Sequence, residues 1–228
     1  MMHAVIFDMF ETLITLYESP IYFGSEIAKD VGIPVEEFLS MWQPTEYDRS
    51  VGRLSFDDVM ENILRNYNCF SENLIEHVKQ KRMDAKKEAF RHLHSEIIPM
   101  LTELKKNKIL IGLISNTFSE EEIIIRESLL FPYFDAVFLS SEQGVCKPNK
   151  EIFYRCMKAL SVRAEECIYV GDGGSCELEA AQELGMKAIQ AVWYLKEETL
   201  QPTGRKKNFI NVESPLDVLQ YLYIYYRF

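Results

Sequence analysis

The stretch "HAVIFDMFETLITL", residues 3–16, contains the feature that decides the fold, a short and mostly apolar run that ends at an aspartate. Residues 3–7 have the length and composition of a strand that is buried on both faces of a parallel sheet. Asp8 follows at the carboxyl end of this strand, where open parallel sheets bind their ligands. A second carboxylate two residues later would supply acid–base chemistry, but that position holds Phe10. The sequence therefore presents Asp8 as a candidate nucleophile without a partner acid at position 10.

Four further apolar runs follow the same pattern and end at polar or turn residues. They lie at residues 109–115, 136–141, 167–172 and 188–193. The segments between the later runs have helical periodicity, and this alternation of strands and helices is typical of a doubly wound α/β fold. We therefore predict a parallel, five-stranded, Rossmann-like sheet with helices on its faces.

Residues 17–90 break this alternation, because they carry helical periods and no strand run. They stand between the first and the second predicted strand, so the simplest arrangement is a helical cap domain inserted into the α/β core. We predict a core domain of residues 1–16 and 91–228 and a cap domain of residues 17–90.

The composition limits the partners of this chain of 228 residues, whose formal net charge is -10. That charge argues against nucleic acid or an anionic membrane as a partner. No run approaches the ~18 apolar residues that span a bilayer, and no secretory leader pattern is present. The five cysteines form no CxxC pair, which favours free thiols in a reducing compartment. We expect a cytoplasmic protein that binds a small molecule, as a monomer or a homodimer.

Side chains capable of chemistry follow the ends of four predicted strands. They are Asp8, the Ser115-Asn116 pair, Lys147 and Asp172. Two carboxylates, Asp8 and Asp172, are ligands for a hard cation such as Mg²⁺. Lys147 and Ser115 can neutralise and position phosphate oxygens. One of the carboxylates can attack phosphorus while the metal screens the repulsion between the two anions.

The segments around these residues, "FDMFETL", "LISNT", "CKPNKEIF" and "YVGDGGSCELEAAQELGM", occur in this order along the chain. They resemble the four motifs of the haloacid dehalogenase-like (HAD) hydrolase superfamily, and the helical insert resembles its C1 cap. The resemblance implies a Mg²⁺-dependent hydrolase in which Asp8 is both the nucleophile and a metal ligand. It also implies that the metal is bound by the Phe10 backbone carbonyl, by Asp172 and, through water, by Glu177. The transferred group would be bound by Ser115, Asn116 and Lys147. Lys147 would also orient Asp8.

Phe10 departs from the pattern of the family's phosphatases, which carry at this position an aspartate that protonates the leaving oxygen and then activates water. The neighbouring Glu11 is a poor substitute, because adjacent side chains point in different directions. Two branches of the family also lack this acid. The 2-haloacid dehalogenases carry an aromatic residue there and need no metal, whereas the phosphonoacetaldehyde hydrolases keep the metal. Asp172 favours phosphorus chemistry, because the dehalogenases have no metal-binding aspartate at the corresponding place.

The sequence thus predicts a phosphatase for a small phosphorylated metabolite that works through an aspartyl-phosphate. Loss of the acid at position 10 makes that enzyme impaired or specialised. Dehalogenation of a 2-haloacid or cleavage of a phosphonate is an open alternative, and so is a catalytically weak fold that binds a metabolite or a protein. In the predicted cap, Arg49 and Arg53 are candidates to bind a substrate anion, with surface ion pairs as the other interpretation.

Overall fold

A parallel sheet of six strands forms the centre of the computed structural model, which describes residues 2–196, 201 and 203–226. The strands are β1 (Ala4–Phe7), β2 (Leu110–Ser115), β3 (Ala136–Leu139), β4 (Cys167–Gly171), β5 (Lys187–Ala191) and β6 (Ile210–Val212). Their order is β3-β2-β1-β4-β5-β6, and every neighbouring pair is parallel. The order reverses beside β1, which is the switch point where doubly wound sheets bind ligands.

The prediction of five strands is wrong by one, because the sequence gives no apolar run for β6. This strand has only three residues, lies at the edge of the sheet and leaves Ile210 exposed. A strand so short and so weakly buried lacks the periodic signal on which the other five predictions rest. The parallel sheet itself and the five longer strands are found where they were predicted, within a few residues at each end.

The strand register explains why distant segments meet at one edge of the sheet. Phe7 stands opposite Leu113 on β2 and Val170 on β4. Asp8 continues this register, and its backbone N–H donates to the Val170 carbonyl at 2.9 Å. In this register, Asp8, Ser115 and Asp172 therefore differ by no more than one or two residues. All three lie at the carboxyl ends of adjacent strands.

Helices cover both faces of the sheet. They are α6 (Ile97–Lys106), α7 (Ser119–Arg126), α8 (Ser140–Gln143), α9 (Lys150–Leu160), α10 (Glu177–Glu183) and α11 (Pro215–Tyr226). Alternate residues of β1 enter two different apolar clusters, with Val5 and Phe7 in one and Ala4 and Ile6 in the other. Both faces of the strand are thus buried, which is why its sequence is apolar throughout rather than alternating.

Five α-helices lie between β1 and α6, namely α1 (Gly24–Val31), α2 (Val35–Trp42), α3 (Glu46–Ser50), α4 (Phe56–Asn66) and α5 (Glu72–Ala89). Four of them, α1, α2, α4 and α5, enclose an apolar cluster of their own, in which the ring of Trp42 contacts Phe38 and Phe56. The signals for their ends are local. Ser55 caps α4 by accepting a hydrogen bond from the Asp58 backbone N–H, and Gly32 ends α1 with a positive φ of 72°. The boundaries of a separate cap domain stay a prediction.

Among the described residues, no helix is long and apolar enough to cross a membrane.

Candidate active site

Asp8 and Lys147 form a buried ion pair at the carboxyl end of β1. Lys147 Nζ lies 2.6 Å from Asp8 Oδ1, which also accepts the Met9 backbone N–H at 2.7 Å. Both side chains are buried, with Asp8 only 5% exposed. Burial raises the pKa of Asp8 to about 6 and the negative charge of Glu177 adds to this, while the ammonium group of Lys147 pulls it back. Asp8 is thereby held in one orientation with one carboxylate oxygen fixed.

Three carboxylates converge beside this ion pair. One oxygen atom from each of Asp8, Asp172 and Glu177 lies within 4.8 Å of the other two, and all three residues are buried. Burial raises the pKa of Asp172 to about 8, and the negative charges of Asp8 and Glu177 add to this effect. Carboxylate oxygens are the ligands that Mg²⁺ prefers, and a divalent cation would relieve the repulsion that raises these pKa values. The donor set therefore fits a hard divalent cation.

Glu177 also shapes the loop that carries Asp172. Its Oε1 accepts the Gly173 backbone N–H at 2.6 Å, and its Oε2 accepts that of Ser175 at 2.8 Å. Gly173 has a φ of +94°, and a Cβ at this position would lie 2.6 Å from Cε of Lys206. A side chain at position 173 would therefore be strained by the positive φ, and Lys206 would have to move to make room for it. Both Glu177 oxygens thus accept backbone hydrogen bonds, and metal ligation by Glu177 through water stays a prediction.

Asn116 holds the backbone of Lys147. Its Oδ1 accepts the Lys147 N–H at 2.8 Å, and its Nδ2 donates to the Lys147 carbonyl at 3.1 Å and to Ser175 Oγ at 3.4 Å. One amide side chain thus ties the end of β2 to the loop before α9 and to the loop after β4. Ser115, the last residue of β2, is fully buried, and its hydroxyl donates at 3.5 Å to the Asn116 carbonyl.

Position 10 carries no carboxyl group, and the carboxyl group of Glu11 is held by hydrogen bonds. The half-buried ring of Phe10 has Lys86 Nζ 4.8 Å from its centroid. Glu11 accepts hydrogen bonds from Thr15 Oγ1 at 2.6 Å and from the Leu16 backbone N–H at 2.9 Å. Burial raises the pKa of Glu11, and these hydrogen bonds oppose the rise. The Glu11 carboxylate is therefore engaged by its own turn.

The structure separates the two arginines proposed from the sequence. Arg53 has 63% of its side chain exposed and pairs with Asp48 at 3.0 Å, so it is a surface ion pair. Arg49 is only 2% exposed, and its guanidinium lies between the rings of Trp42, at 3.9 Å, and Phe118, at 4.3 Å. Phe118 closely follows the Ser115-Asn116 pair, so Arg49 faces the same end of the sheet as the predicted site.

Gln190 is a site residue that the sequence did not reveal. It is buried near the end of β5, and its Nε2 donates to the carbonyls of Asp172 at 2.8 Å and Gly204 at 2.9 Å. Its Oε1 accepts the backbone N–H of Lys206 at 2.7 Å. The only signal available was one amide inside the otherwise apolar run at residues 188–193, where a functional reason for it could have been sought.

Known proteins resemble this chain both in sequence and in fold. The chain matches the haloacid dehalogenase-like hydrolase family over residues 2–185. It belongs to the haloacid dehalogenase-like hydrolases. The glyceraldehyde 3-phosphate phosphatase of Methanocaldococcus jannaschii is 28% identical over 201 residues, which are 83% of this chain and 85% of the relative.

Two solved structures show that HAD enzymes of different activity share this fold. A HAD phosphatase from Thermococcus onnurineus superimposes with a TM-score of 0.67 at 19% identity, over 97% of this chain and 98% of that one. A 2-haloacid dehalogenase from Pseudomonas syringae pv. Tomato DC3000 also reaches 0.67, at 20% identity, over 99% of this chain and 100% of that one. The fold therefore does not distinguish the two reactions, and the side chains of the site must do so.

Proposed function

We propose that this HAD hydrolase is a Mg²⁺-dependent phosphatase that acts on a small phosphorylated metabolite through an aspartyl-phosphate on Asp8. The observation that carries the proposal is the cluster of Asp8, Asp172 and Glu177 beside the Lys147 ammonium group. Three buried carboxylates around one cation are costly unless a second cation is bound. The similarity to an archaeal phosphatase over most of both chains supports the same chemistry.

The proposed ligands for Mg²⁺ are the carboxylates of Asp8 and Asp172, the backbone carbonyl of Phe10 and, through water, Glu177. When bound, the metal supplies positive charge that allows a carboxylate to approach an anionic phosphoryl group. Gln190 and Glu177 hold the backbone of the loop that carries Asp172, so this carboxylate is positioned before any ligand arrives.

The chain's own residues would carry the reaction as follows. A carboxylate oxygen of Asp8 attacks phosphorus, so that an Asp8–phosphorus bond forms and the bond to the leaving oxygen breaks. Lys147 would offset the charge of Asp8, and Ser115 and Asn116 would contact the transferred group. Water then attacks the phosphorus of the aspartyl-phosphate, which releases phosphate and restores the carboxylate.

Phe10 leaves this reaction without the acid that would protonate the leaving oxygen. General acid–base assistance contributes about 10²–10⁴-fold to such reactions. The proposed enzyme should therefore favour phosphates whose leaving groups depart without a proton, namely acyl and aryl phosphates, over sugar phosphates.

We also propose that residues 17–90 form a C1-type cap over the site. The cytoplasmic location and the choice between monomer and homodimer stay predictions.

Steady-state rates of phosphate release test the proposal with p-nitrophenyl phosphate, acetyl phosphate and hexose phosphates, each with Mg²⁺ and with EDTA. We expect Mg²⁺-dependent turnover, fastest for the first two substrates and abolished in Asp8→Asn. The matched control is Asp84→Asn, which alters an exposed carboxylate that accepts a hydrogen bond from Gln80 on α5 and should leave the rates unchanged. Faster turnover of the hexose phosphates would contradict the argument from Phe10, and no turnover of any substrate would overturn the function.

Displacement of halide from a 2-haloacid is the second candidate, because position 10 is aromatic as in the dehalogenases that the sequence resembles. In that reaction a carboxylate oxygen of Asp8 attacks carbon and chloride leaves. Release of chloride from 2-chloropropionate in EDTA would establish it. The buried cluster that includes Asp172 and Glu177 argues against it, since three buried carboxylates beside a single lysine are costly without a cation.

A further inference from the structure

Glu11 combines a buried side chain with a backbone conformation that side chains rarely adopt. Its φ is 57°, in the left-handed region that favours glycine. Among the residues that the structure describes, four others besides glycines have a positive φ, and all four are exposed. They are Asn68, Lys108, Ser161 and Cys176. Glu11 is only 9% exposed. A left-handed φ and a buried carboxylate are both unfavourable, so the contacts of this side chain must compensate for them.

Three hydrogen bonds hold the Glu11 carboxylate in place. Two come from the residues that follow it, since Oε2 accepts from Thr15 Oγ1 at 2.6 Å and Oε1 accepts from the Leu16 backbone N–H at 2.9 Å. The third comes from Gln201, whose Nε2 donates to Oε2 at 3.2 Å. The side chain of Glu11 thus closes the turn at residues 11–16 and binds it to a residue near the other end of the chain.

The segment that follows β5 holds the same turn from outside. Gln201 Nε2 also donates to the Tyr194 carbonyl at 2.7 Å, so the group that binds Glu11 is itself fixed. Trp193 Nε1 donates to the Thr12 carbonyl at 2.9 Å. The conformation of the turn is therefore set by contacts on both sides, and the carboxylate of Glu11 is the group that joins them.

The φ angle of Glu11 helps to set the direction of the Phe10 carbonyl. The peptide group that joins the two residues is planar, so its orientation depends on the ψ of Phe10 and the φ of Glu11. Phe10 also forms an isolated β-bridge with Ile14, inside the same turn. A carboxylate that fixes the turn at Thr15 and Leu16 therefore also fixes this carbonyl, which the proposed function assigns as a ligand of Mg²⁺.

We propose that Glu11 is a positioning residue for Mg²⁺, because its anchored carboxylate holds position 11 in the left-handed conformation and so orients the Phe10 carbonyl for ligation. This inference rests on the proposed function, which makes that carbonyl a ligand. Glu11 itself contacts neither the metal nor the substrate. Glycine would adopt the same φ without strain, but it has no carboxylate to close the turn. Part of the free energy of Mg²⁺ binding would then be lost in ordering the turn.

Binding of Mg²⁺ to the folded protein tests this proposal without relying on turnover. The dissociation constant of Mg²⁺ is measured by isothermal titration calorimetry for the wild-type protein, Glu11→Gln and Glu11→Gly. We expect Glu11→Gly to raise it about 10–100-fold, which is the usual effect of removing a group that orients a metal ligand. Glu11→Gln keeps one side-chain oxygen that can accept a hydrogen bond, so its dissociation constant should lie between the other two.

The matched control is Lys108→Gly. Lys108 has nearly the same φ, 59°, but it is exposed and lies before the amino-terminal end of β2, whereas the site lies at the carboxyl ends of the strands. Glycine removes the same backbone strain there without affecting the turn at residues 11–16. This variant should bind Mg²⁺ as the wild-type protein does.

The melting temperature in EDTA separates positioning from a purely structural role. If Glu11→Gly melts lower than the wild-type protein but its folded form has the wild-type dissociation constant for Mg²⁺, Glu11 only stabilises the fold and the inference is overturned. If Glu11→Gly does not fold, Thr15→Val decides. It removes the hydrogen bond at 2.6 Å to Glu11 and should also raise the dissociation constant, whereas an unchanged value overturns the inference.

Turnover of p-nitrophenyl phosphate distinguishes failure of this inference from failure of the proposed function. If the wild-type protein hydrolyses this substrate with Mg²⁺ and Glu11→Gly binds Mg²⁺ equally well, the inference fails and the phosphatase stands. If the wild-type protein binds Mg²⁺ but turns over no phosphate, the function fails, while a raised dissociation constant in Glu11→Gly still supports the positioning role. No binding of Mg²⁺ by the wild-type protein overturns both.

Discussion

Mg²⁺ should stabilise the folded protein increasingly as the pH rises. In the metal-free protein the pKa of Asp8 is raised from 3.8 to about 6 and that of Asp172 to about 8, mainly by burial and then by neighbouring charges. The folded state therefore binds more protons than the unfolded chain over this range. The contribution of these two carboxyl groups to the free energy of unfolding is fully present below about pH 4. It is lost as the pH rises through 6 and then 8. A cation shared by the carboxylates removes this loss.

The size of the stabilisation by Mg²⁺ follows from the pKa shift of Asp8 alone. A rise of about two pKa units corresponds to about 3 kcal/mol at ~1.4 kcal/mol for each unit. The larger shift of Asp172 depends in part on the negative charge of Asp8, so the two shifts are not independent and are not added. For a chain of this size, ~3 kcal/mol changes the melting temperature by about 6–12 °C. We expect a difference of this order between Mg²⁺ and EDTA at pH 8.5, and almost none at pH 5.

Thermal unfolding followed by fluorescence or circular dichroism measures this difference, at constant ionic strength and at half-unit steps from pH 5 to 8.5. Asp172→Asn removes one of the repelling charges, so it should melt higher than the wild-type protein in EDTA at pH 8 and gain little from Mg²⁺. Asp84→Asn, at an exposed position on α5, should behave as the wild-type protein does. A stabilisation by Mg²⁺ that is equal at both ends of the pH range, or larger at pH 5, would refute the reasoning.

Three further substitutions test individual contacts. Lys147→Met removes the cation 2.6 Å from Asp8. It should lower kcat for p-nitrophenyl phosphate about 10²–10³-fold without unfolding the protein. Near-normal turnover would exclude the proposed role of Lys147 in offsetting the charge of Asp8. Phe10→Asp should raise the rate on hexose phosphates by up to ~10²-fold, whereas no gain would show that position 10 is not directed at the leaving group. Gln190→Leu removes the hydrogen bonds to the Asp172 and Gly204 carbonyls. It should raise the Mg²⁺ concentration that gives half the maximal rate about 10–100-fold. If that concentration is unchanged, Gln190 is purely structural.

The apolar runs were sufficient to predict the parallel sheet, because strands buried on both faces must be apolar along their whole length. The same argument failed for β6, whose three residues at the sheet edge are partly exposed. Short helix α3 has only five residues, which are too few to show helical periodicity in the sequence. It is this helix that carries Arg49.

The sequence by itself determined that Asp8, Ser115, Lys147 and Asp172 would lie near one another. Chemically active residues at the ends of parallel strands must meet at one edge, whatever else the chain does. Only the tertiary structure decided which charged residues would be buried. Arg49 and Arg53 are alike in sequence, yet one lies between two aromatic rings and the other on the surface.

The same holds for the acids of α7 and the basic residues of α5, which have the local pattern of solvated helix faces. Glu120 and Glu121 are buried because α5, about 40 residues earlier in the chain, packs against them with Arg82 and Lys86. Burial of a charge depends on what faces it, and that partner comes from a distant part of the sequence. The periodicity of a single helix contains no information about it.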